Sequence, residues 1–270
     1  MNTSFMARHG SRLLANGYSI LPIAPGGKKP GRYQRGAWVD YPEWNRHAER
    51  PTTEVEVATW SGWPDCGIGI VGGGVAAIDI DIVSDPDLAL QIEQLARARL
   101  GDTPALRIGR APKRLLVYRT SAPFRGIRRA PLEVLCLGQQ FVAYAVHPAT
   151  NRPYDWPEES LADLDLASLP AITEEQARAF LDEAIALLPQ ALQRWENVRW
   201  GLVRGLGIAM ASVAGMAALG LLIQLPYPRE GMSVYQISLT ATAQLVAMGL
   251  ALAVAGENSL RERLFGVLPM

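Results

Sequence analysis

Residues 66–82, CGIGIVGGGVAAIDIDI, decide how the chain is read. Two apolar β segments flank Gly72-Gly73-Gly74, where a positive φ costs little, so a hairpin is expected at this point. In the second segment, Ala76-Ala-Ile-Asp-Ile-Asp-Ile82, apolar and acidic positions alternate with the period of a strand. Side chains at i and i+2 leave a strand on the same face, which sets Asp79 beside Asp81 and sends Ile78, Ile80 and Ile82 into the core. Two adjacent anions repel, and a bound divalent cation relieves the repulsion. Hard oxygen donors select Mg²⁺ or Mn²⁺ over zinc. The plain alternative is an exposed strand with a polar face.

Working outward, Asp85-Pro86-Asp87 starts a helix, with Asp85 as N-cap and Pro86 in the first turn. Leu88, Ile92, Leu95 and Leu100 give its apolar face, and Gly101 stops it. Strands are expected at 105–109, 114–119, 132–136 and 139–146. A helix over 173–188 opens on Thr173 with Gln176 three residues later, the pattern of a capping box. Upstream, Arg8 to Ala15 reads as a helix ended by Asn16-Gly17, Tyr18 to Pro22 as a short strand, and Pro25-Gly-Gly-Lys-Lys-Pro30 as a loop. Together these make a mixed α/β (α+β) domain over residues 1–190.

The aspartates have basic company. Between Thr103 and Leu132 stand Arg107, Arg110, Lys113, Arg114, Arg119, Arg125, Arg128 and Arg129, with no acid among them. Such a block suits phosphates, since Arg offers paired contacts and Lys a point charge; a solvated basic face is the other reading. Glu133 then sits in the apolar run Pro131-Leu-Glu-Val-Leu135, where an unpaired buried carboxylate is costly and a third metal ligand accounts for it better. His147, after Gly138-Gln-Gln-Phe-Val-Ala-Tyr-Ala-Val, either contacts a triphosphate or caps its strand. Two aspartates, a glutamate and a basic rim are the parts of two-metal phosphoryl or nucleotidyl transfer.

Composition narrows the field. With 49% hydrophobic and 19% charged residues in 270, a disordered chain or a peptide module is excluded. Cys66 and Cys136 are the only cysteines, too few for a disulfide framework or a structural zinc site, and three histidines make a histidine-rich metal site improbable. The N-terminus interrupts its apolar residues with Arg8, His9 and Arg12, unlike a secretory signal, so a cytoplasmic catalytic domain is expected. The zero net charge hides a basic first half and an acidic stretch over 131–200.

Several of these segments resemble, in order, one family: Gly17-Tyr-Ser-Ile-Leu-Pro-Ile with Pro25-Gly-Gly-Lys-Lys-Pro30, the Gly67-Ile-Gly-Ile-Val71 to Asp79-Ile-Asp81 region, Glu133-Val-Leu with Gly138-Gln-Gln-Phe-Val-Ala-Tyr144, His147-Pro, and Arg152-Pro-Tyr-Asp-Trp156. They look like the bifunctional DNA primase/polymerase N-terminal domain of the archaeo-eukaryotic primase superfamily, frequent in phages, prophages and plasmids, over about residues 10–185. The resemblance implies that Asp79 and Asp81 form the first catalytic motif and Glu133 the third, all metal-binding. Many members carry a histidine between these motifs that contacts the incoming nucleotide. This chain has Pro112-Lys113-Arg114 there, so the phosphate contact falls to Lys113 or Arg114, with Arg110 and His147 nearby in the nucleotide set. Arg125, Arg128 and Arg129 are assigned to a DNA backbone; Lys28 or Lys29 lines the template path or belongs to a solvated loop.

What the resemblance implies is an archaeo-eukaryotic primase-like fold that adds NTP or dNTP to a 3′-hydroxyl on a single-stranded DNA template, with Mg²⁺ or Mn²⁺, in phage- or plasmid-type replication. The competing class is an inactive remnant of the fold acting as a nucleic-acid-binding or membrane-attached protein. Relatives commonly continue into a helicase, but no Gly-rich loop ending in Lys-Ser/Thr occurs here, so a separate replicative helicase is the expected partner. Past residue 190 the chain turns apolar: Gly205 to Ile223 and Gly231 to Ala255 carry no charge. Residues 191–270 are therefore expected to form an apolar two-helix C-terminal appendage. A transmembrane hairpin over roughly 205–225 and 232–255 would tether the domain to the inner membrane; two apolar helices packed in a soluble protein and a frameshifted tail are the alternatives.

Overall fold

The computed structural model describes residues 3–188. The expectations for the tail (the appendage over 191–270, the membrane hairpin and the tether) lie outside the described residues. Among those described, no helix is long and apolar enough to cross a membrane.

In chain order the elements are α1 (Phe5–Ala15), β1 (Ile20–Ile23), β2 (Gly31–Gln34), β3 (Ala37–Asp40), α2 (Glu54–Ser61), β4 (Gly67–Val71), β5 (Val75–Ile80), α3 (Pro86–Leu100), β6 (Leu106–Arg107), β7 (Arg114–Arg119), β8 (Ile127–Arg129), β9 (Leu132–Leu135), β10 (Gln140–Tyr144), β11 (Val146–His147), β12 (Arg152–Pro153) and α4 (Glu174–Leu187). The strands pair antiparallel in a three-stranded sheet, β1-β4-β10, and a five-stranded sheet, β6-β7-β5-β9-β8. Helices with antiparallel sheets make this an α+β fold.

Helix boundaries follow local chemistry. The Asp85 carboxylate accepts from the Leu88 N–H at 2.9 Å, and Gly101 closes α3 at φ +104°. Thr173 and Gln176 make the expected capping box at α4. A second box, Thr53 with Glu56, opens α2, which the sequence reading passed over. The β2-β3 hairpin was also unread; its turn uses Arg35 at φ +52° and Gly36 at φ +83°.

The expected hairpin over 66–82 is corrected. β4 and β5 do not pair; each is the central strand of a different sheet. The glycine stretch acts as a crossover held by the β9–β10 turn and the end of β7: the Gly72 N–H donates to Gln139 O at 2.8 Å, and the Thr120 N–H donates to Gly74 O at 2.9 Å. A Cβ on Gly72 would lie 2.0 Å from the Cys136 carbonyl oxygen, so only glycine passes.

Each face of the five-stranded sheet buries a core. Ala76, Ile78, Ile80, Leu116, Tyr118, Leu132 and Val134 pack with residues of α3 and α4, including Ile92, Ala96, Phe180 and Leu181. Val75, Ala77, Leu115 and Val117 pack on the other side with Met6, Leu13, Val57 and Trp60 of α1 and α2, and with Ile20, Ile68, Ile70 and Phe141 of the smaller sheet. Strand alternation thus delivers Ile78 and Ile80 to the first core, with Ile82, as expected. Along β5 the second core ends at Ala77, and the next side chain on that face is Asp79.

Candidate active site

Register places the functional side chains. One row of paired residues crosses all five strands: Arg107 opposite Leu115, Leu115 opposite Asp79, Asp79 opposite Glu133, and Glu133 opposite Arg128. Asp79 and Glu133 are therefore direct cross-strand neighbours, the arrangement in which like charges destabilise a sheet. Asp81 lies just past the end of β5, and its N–H donates to Pro131 O at 2.9 Å, which keeps it beside the same strand pair. The three carboxylates were expected together, and the backbone brings them together.

The next row has the opposite facing. Arg114 pairs with Ile80, Ile80 with Leu132, and Leu132 with Arg129, so both arginines belong to the face covered by α3 and α4. The Arg114 guanidinium is bonded to Glu93 of α3, while its Nε donates to Pro112 O at 3.1 Å; Arg129 pairs with Asp182 of α4 at 3.1 Å. Neither is brought together with Asp79. Arg125 is exposed in the loop before β8, Arg128 is exposed on edge strand β8, and Lys29 is exposed beyond the end of β1.

Electrostatics marks the carboxylate row. Burial, then Asp81 and more weakly Glu133, push the Asp79 carboxyl up to about 7, against the pull of Arg107 and Lys113. Glu133 is also raised, mainly by burial, with Arg128 and a hydrogen bond from Gln139 opposing. Gln139, quoted in the sequence only as part of the Gly138–Tyr144 segment, was given no role there because a neutral amide escapes a search for charge. Its Nε2 donates to Glu133 Oε1 at 2.8 Å, while its Oε1 accepts from the Cys136 N–H at 3.2 Å. Gly126 makes room for that amide, since a Cβ there would fall 1.6 Å from Gln139 Oε1.

Opposite the carboxylates is a gathering of cations. Lys113 Nζ lies 3.1 Å from Asp81 Oδ1. The Lys28 ammonium is held below its usual range, first by burial and then by Arg107 and Lys113, with Asp79 and Asp81 pulling the other way. Its loop is tied to β10 by Gln140 Nε2, which donates to Lys28 O at 2.9 Å. Arg107, placed by sequence only in the general basic block, is central: Nη1 donates to Val142 O, the guanidinium lies 4.7 Å from the Tyr154 ring centroid, and Nε has no partner among the described residues.

His147 joins this group. It is buried, its ring meets Tyr154 at 5.2 Å, and its Nδ1 accepts from the Ala149 N–H at 3.2 Å. The neutral ring therefore carries its proton on Nε2. Burial, then Lys28, Arg107, Lys113 and Arg110, depress the imidazole to about 4. Below about pH 6.5 the unfolded chain takes up a proton that the folded His147 refuses, so this group costs stability as pH falls towards 4. We expect His147→Gln to gain in melting temperature relative to the wild type as pH is lowered from 7 to 4.5. A difference independent of pH, read by calorimetry, would contradict the buried neutral imidazole.

Three carboxylates on or beside adjacent strands, with an Asp79 carboxyl raised by burial and then by its acidic neighbours, fit a hard divalent cation in chemistry. As they stand, no three His, Cys, Asp or Glu side chains among the described residues converge to hold one. The cause is visible: Asp81 is turned to Lys113 and Glu133 to Gln139.

Comparison with known proteins bears on this geometry. No curated protein matches the chain. A family described as bifunctional DNA primase/polymerase, N-terminal, matches residues 11–172, which contain both sheets, the carboxylate row and the cations facing it. With more than half of its length matched, the chain belongs to the bifunctional DNA primase/polymerase N-terminal family.

Proposed function

We propose that the chain joins a nucleotide to the 3′-hydroxyl of a primer or of a first nucleotide, under the direction of a single-stranded DNA template. The reaction forms a bond from the 3′-oxygen to the α-phosphorus and breaks the α–β anhydride, releasing pyrophosphate. Asp79, Asp81 and Glu133 are the residues that would hold the cations. Two Mg²⁺ or Mn²⁺ ions, when bound, supply acidification of the attacking hydroxyl and neutralisation of the leaving pyrophosphate.

The protein's own groups do the rest. Lys28, Arg107 and Lys113 face the carboxylates as a cradle for a triphosphate, Arg110 stands near His147, and His147 offers Nε2–H to a phosphate oxygen. Gln139 orients Glu133. Arg125 and Arg128, with Lys29 on its loop, are exposed and suit a template backbone, where each phosphate contact contributes to salt dependence. Arg114 and Arg129 are committed to helix acids and hold the sheet to α3 and α4.

The single observation that carries this reading is the row Arg107, Leu115, Asp79, Glu133, Arg128: it puts carboxylates at the centre of one sheet face and cations at both edges. Its test is template direction. With single-stranded DNA of defined sequence and one labelled nucleotide at a time, incorporation is expected only for the nucleotide complementary to the template. Equal incorporation of all four would refute templated transfer.

A further inference from the structure

The Asp81–Lys113 pair has chemistry beyond simple charge balance. Lys113 Nζ stands 3.1 Å from Asp81 Oδ1, with the two side chains 14% and 33% exposed. The ammonium thus occupies the oxygen that a cation between Asp79 and Asp81 would use. An ammonium and a divalent cation cannot share that carboxylate closely, because their repulsion in a partly desolvated site is strong. Lys113 has to leave when a cation arrives.

Where it can go is limited. The backbone N–H of Lys113 donates to Arg110 O at 3.0 Å, so its main chain is fixed in the turn before β7 and only its side chain can move. The groups that feel its charge are Lys28, Asp79 and His147, and all three also feel Arg107. An ammonium released from Asp81 therefore enters a region that is already cationic. It is tolerated there only when a polyanion is present to receive it.

We infer that Lys113 is a placeholder in the cation site that moves to the triphosphate when metal binds, so that cation and nucleotide load together and each weakens the other's release. This inference rests on the assignment of Asp79, Asp81 and Glu133 as cation ligands. It accounts for the Asp81 part of the open carboxylate set, where Lys113 stands on Asp81 Oδ1. By reciprocity, the cation and the polyphosphate must raise each other's affinity by the same factor.

The test uses the full chain and Mn²⁺ alone, with free Mn²⁺ read by electron paramagnetic resonance and no nucleotide present. Lys113→Met should bind Mn²⁺ about 5- to 10-fold more tightly than wild type, within the usual span of such couplings, while Lys113→Arg, which keeps the charge, should stay near wild type. Added inorganic tripolyphosphate should then raise Mn²⁺ affinity more in wild type than in Lys113→Met. Lys113→Gln, followed by a melting curve, guards against a folding defect in the Met variant.

Unchanged or weaker Mn²⁺ binding by both neutral variants overturns the placeholder. Asp81→Asn in the same titration separates the two levels. If it weakens Mn²⁺ binding while the Lys113 variants leave it unchanged, the ligand assignment stands and only the placeholder falls. If it leaves wild-type binding unaltered, or wild type binds no Mn²⁺, both fall.

Discussion

Asp79→Asn is expected to abolish nucleotide incorporation and, in the absence of divalent ions, to make the protein more stable. The two effects share one origin. Asp79 lies directly across from Glu133 and two residues from Asp81, and their repulsion with burial is what drives its carboxyl up to about 7. An amide of the same shape removes that repulsion, for a gain on the order of 1–2 kcal/mol, or a few degrees in melting temperature. The same change removes a cation ligand, and losing metal stabilisation of transition-state charge costs several kcal/mol, about a 10³-fold or greater loss of rate. A variant that loses activity by unfolding would show the reverse sign in calorimetry. Retained activity at the wild-type rate would mean that Asp79 is not a ligand.

Arg114→Met is expected to do the opposite: to lower stability and leave nucleotide affinity nearly intact in the protein that remains folded. Glu93 is only 6% exposed and is paired with both Arg114 and Arg97, the latter at 3.0 Å. Removing one cation from a buried carboxylate costs about 2–4 kcal/mol, or about 5–12 °C for a domain of this size. The double variant Glu93→Gln/Arg114→Met should lose less than the sum of the single changes, because the uncompensated charge is gone. A rise in nucleotide KM of tenfold or more without a drop in melting temperature would show that the guanidinium reaches the substrate and that the two faces of the sheet are misassigned.

That contrast also shows where sequence reasoning stops. Helix ends were legible because caps are local: Asp85 with Leu88, Thr173 with Gln176, and Gly101 each act within four residues. Thr53 with Glu56 was equally available and was missed. The side-by-side aspartates were legible because strand alternation fixes their shared face without knowledge of the partner strands.

Pairing is non-local, and there the reading failed. A glycine-rich turn between two apolar runs suggests a hairpin, but β4 finds β1 and β10 while β5 finds β7 and β9, and nothing within residues 66–82 encodes those partners. The basic block divides for the same reason. Lys113 and Arg114 are equivalent as a count of charge, yet one step along a strand separates the carboxylate face from the helix face. Only the acids at Glu93 and Asp182, 21 and 53 positions away from their arginines, reveal which cations are paired to the helices. Gln139 meets Glu133 through a hydrogen bond from the β9–β10 turn, and Arg107 joins the row of Asp79 across Leu115, placements that no count of residues supplies.

The central claim is that the carboxylates on the open face of β5 and β9 make this domain a metal-dependent nucleotidyltransferase. It is met most directly by primer extension on single-stranded DNA with the full chain, labelled nucleotides and Mn²⁺ or Mg²⁺, run beside Asp79→Asn and a chelated control. Extension of the primer by the wild type alone, lost in both controls, is the result expected. Absence of any product from folded wild-type protein with either ion, or equal products from wild type and Asp79→Asn, would contradict the account.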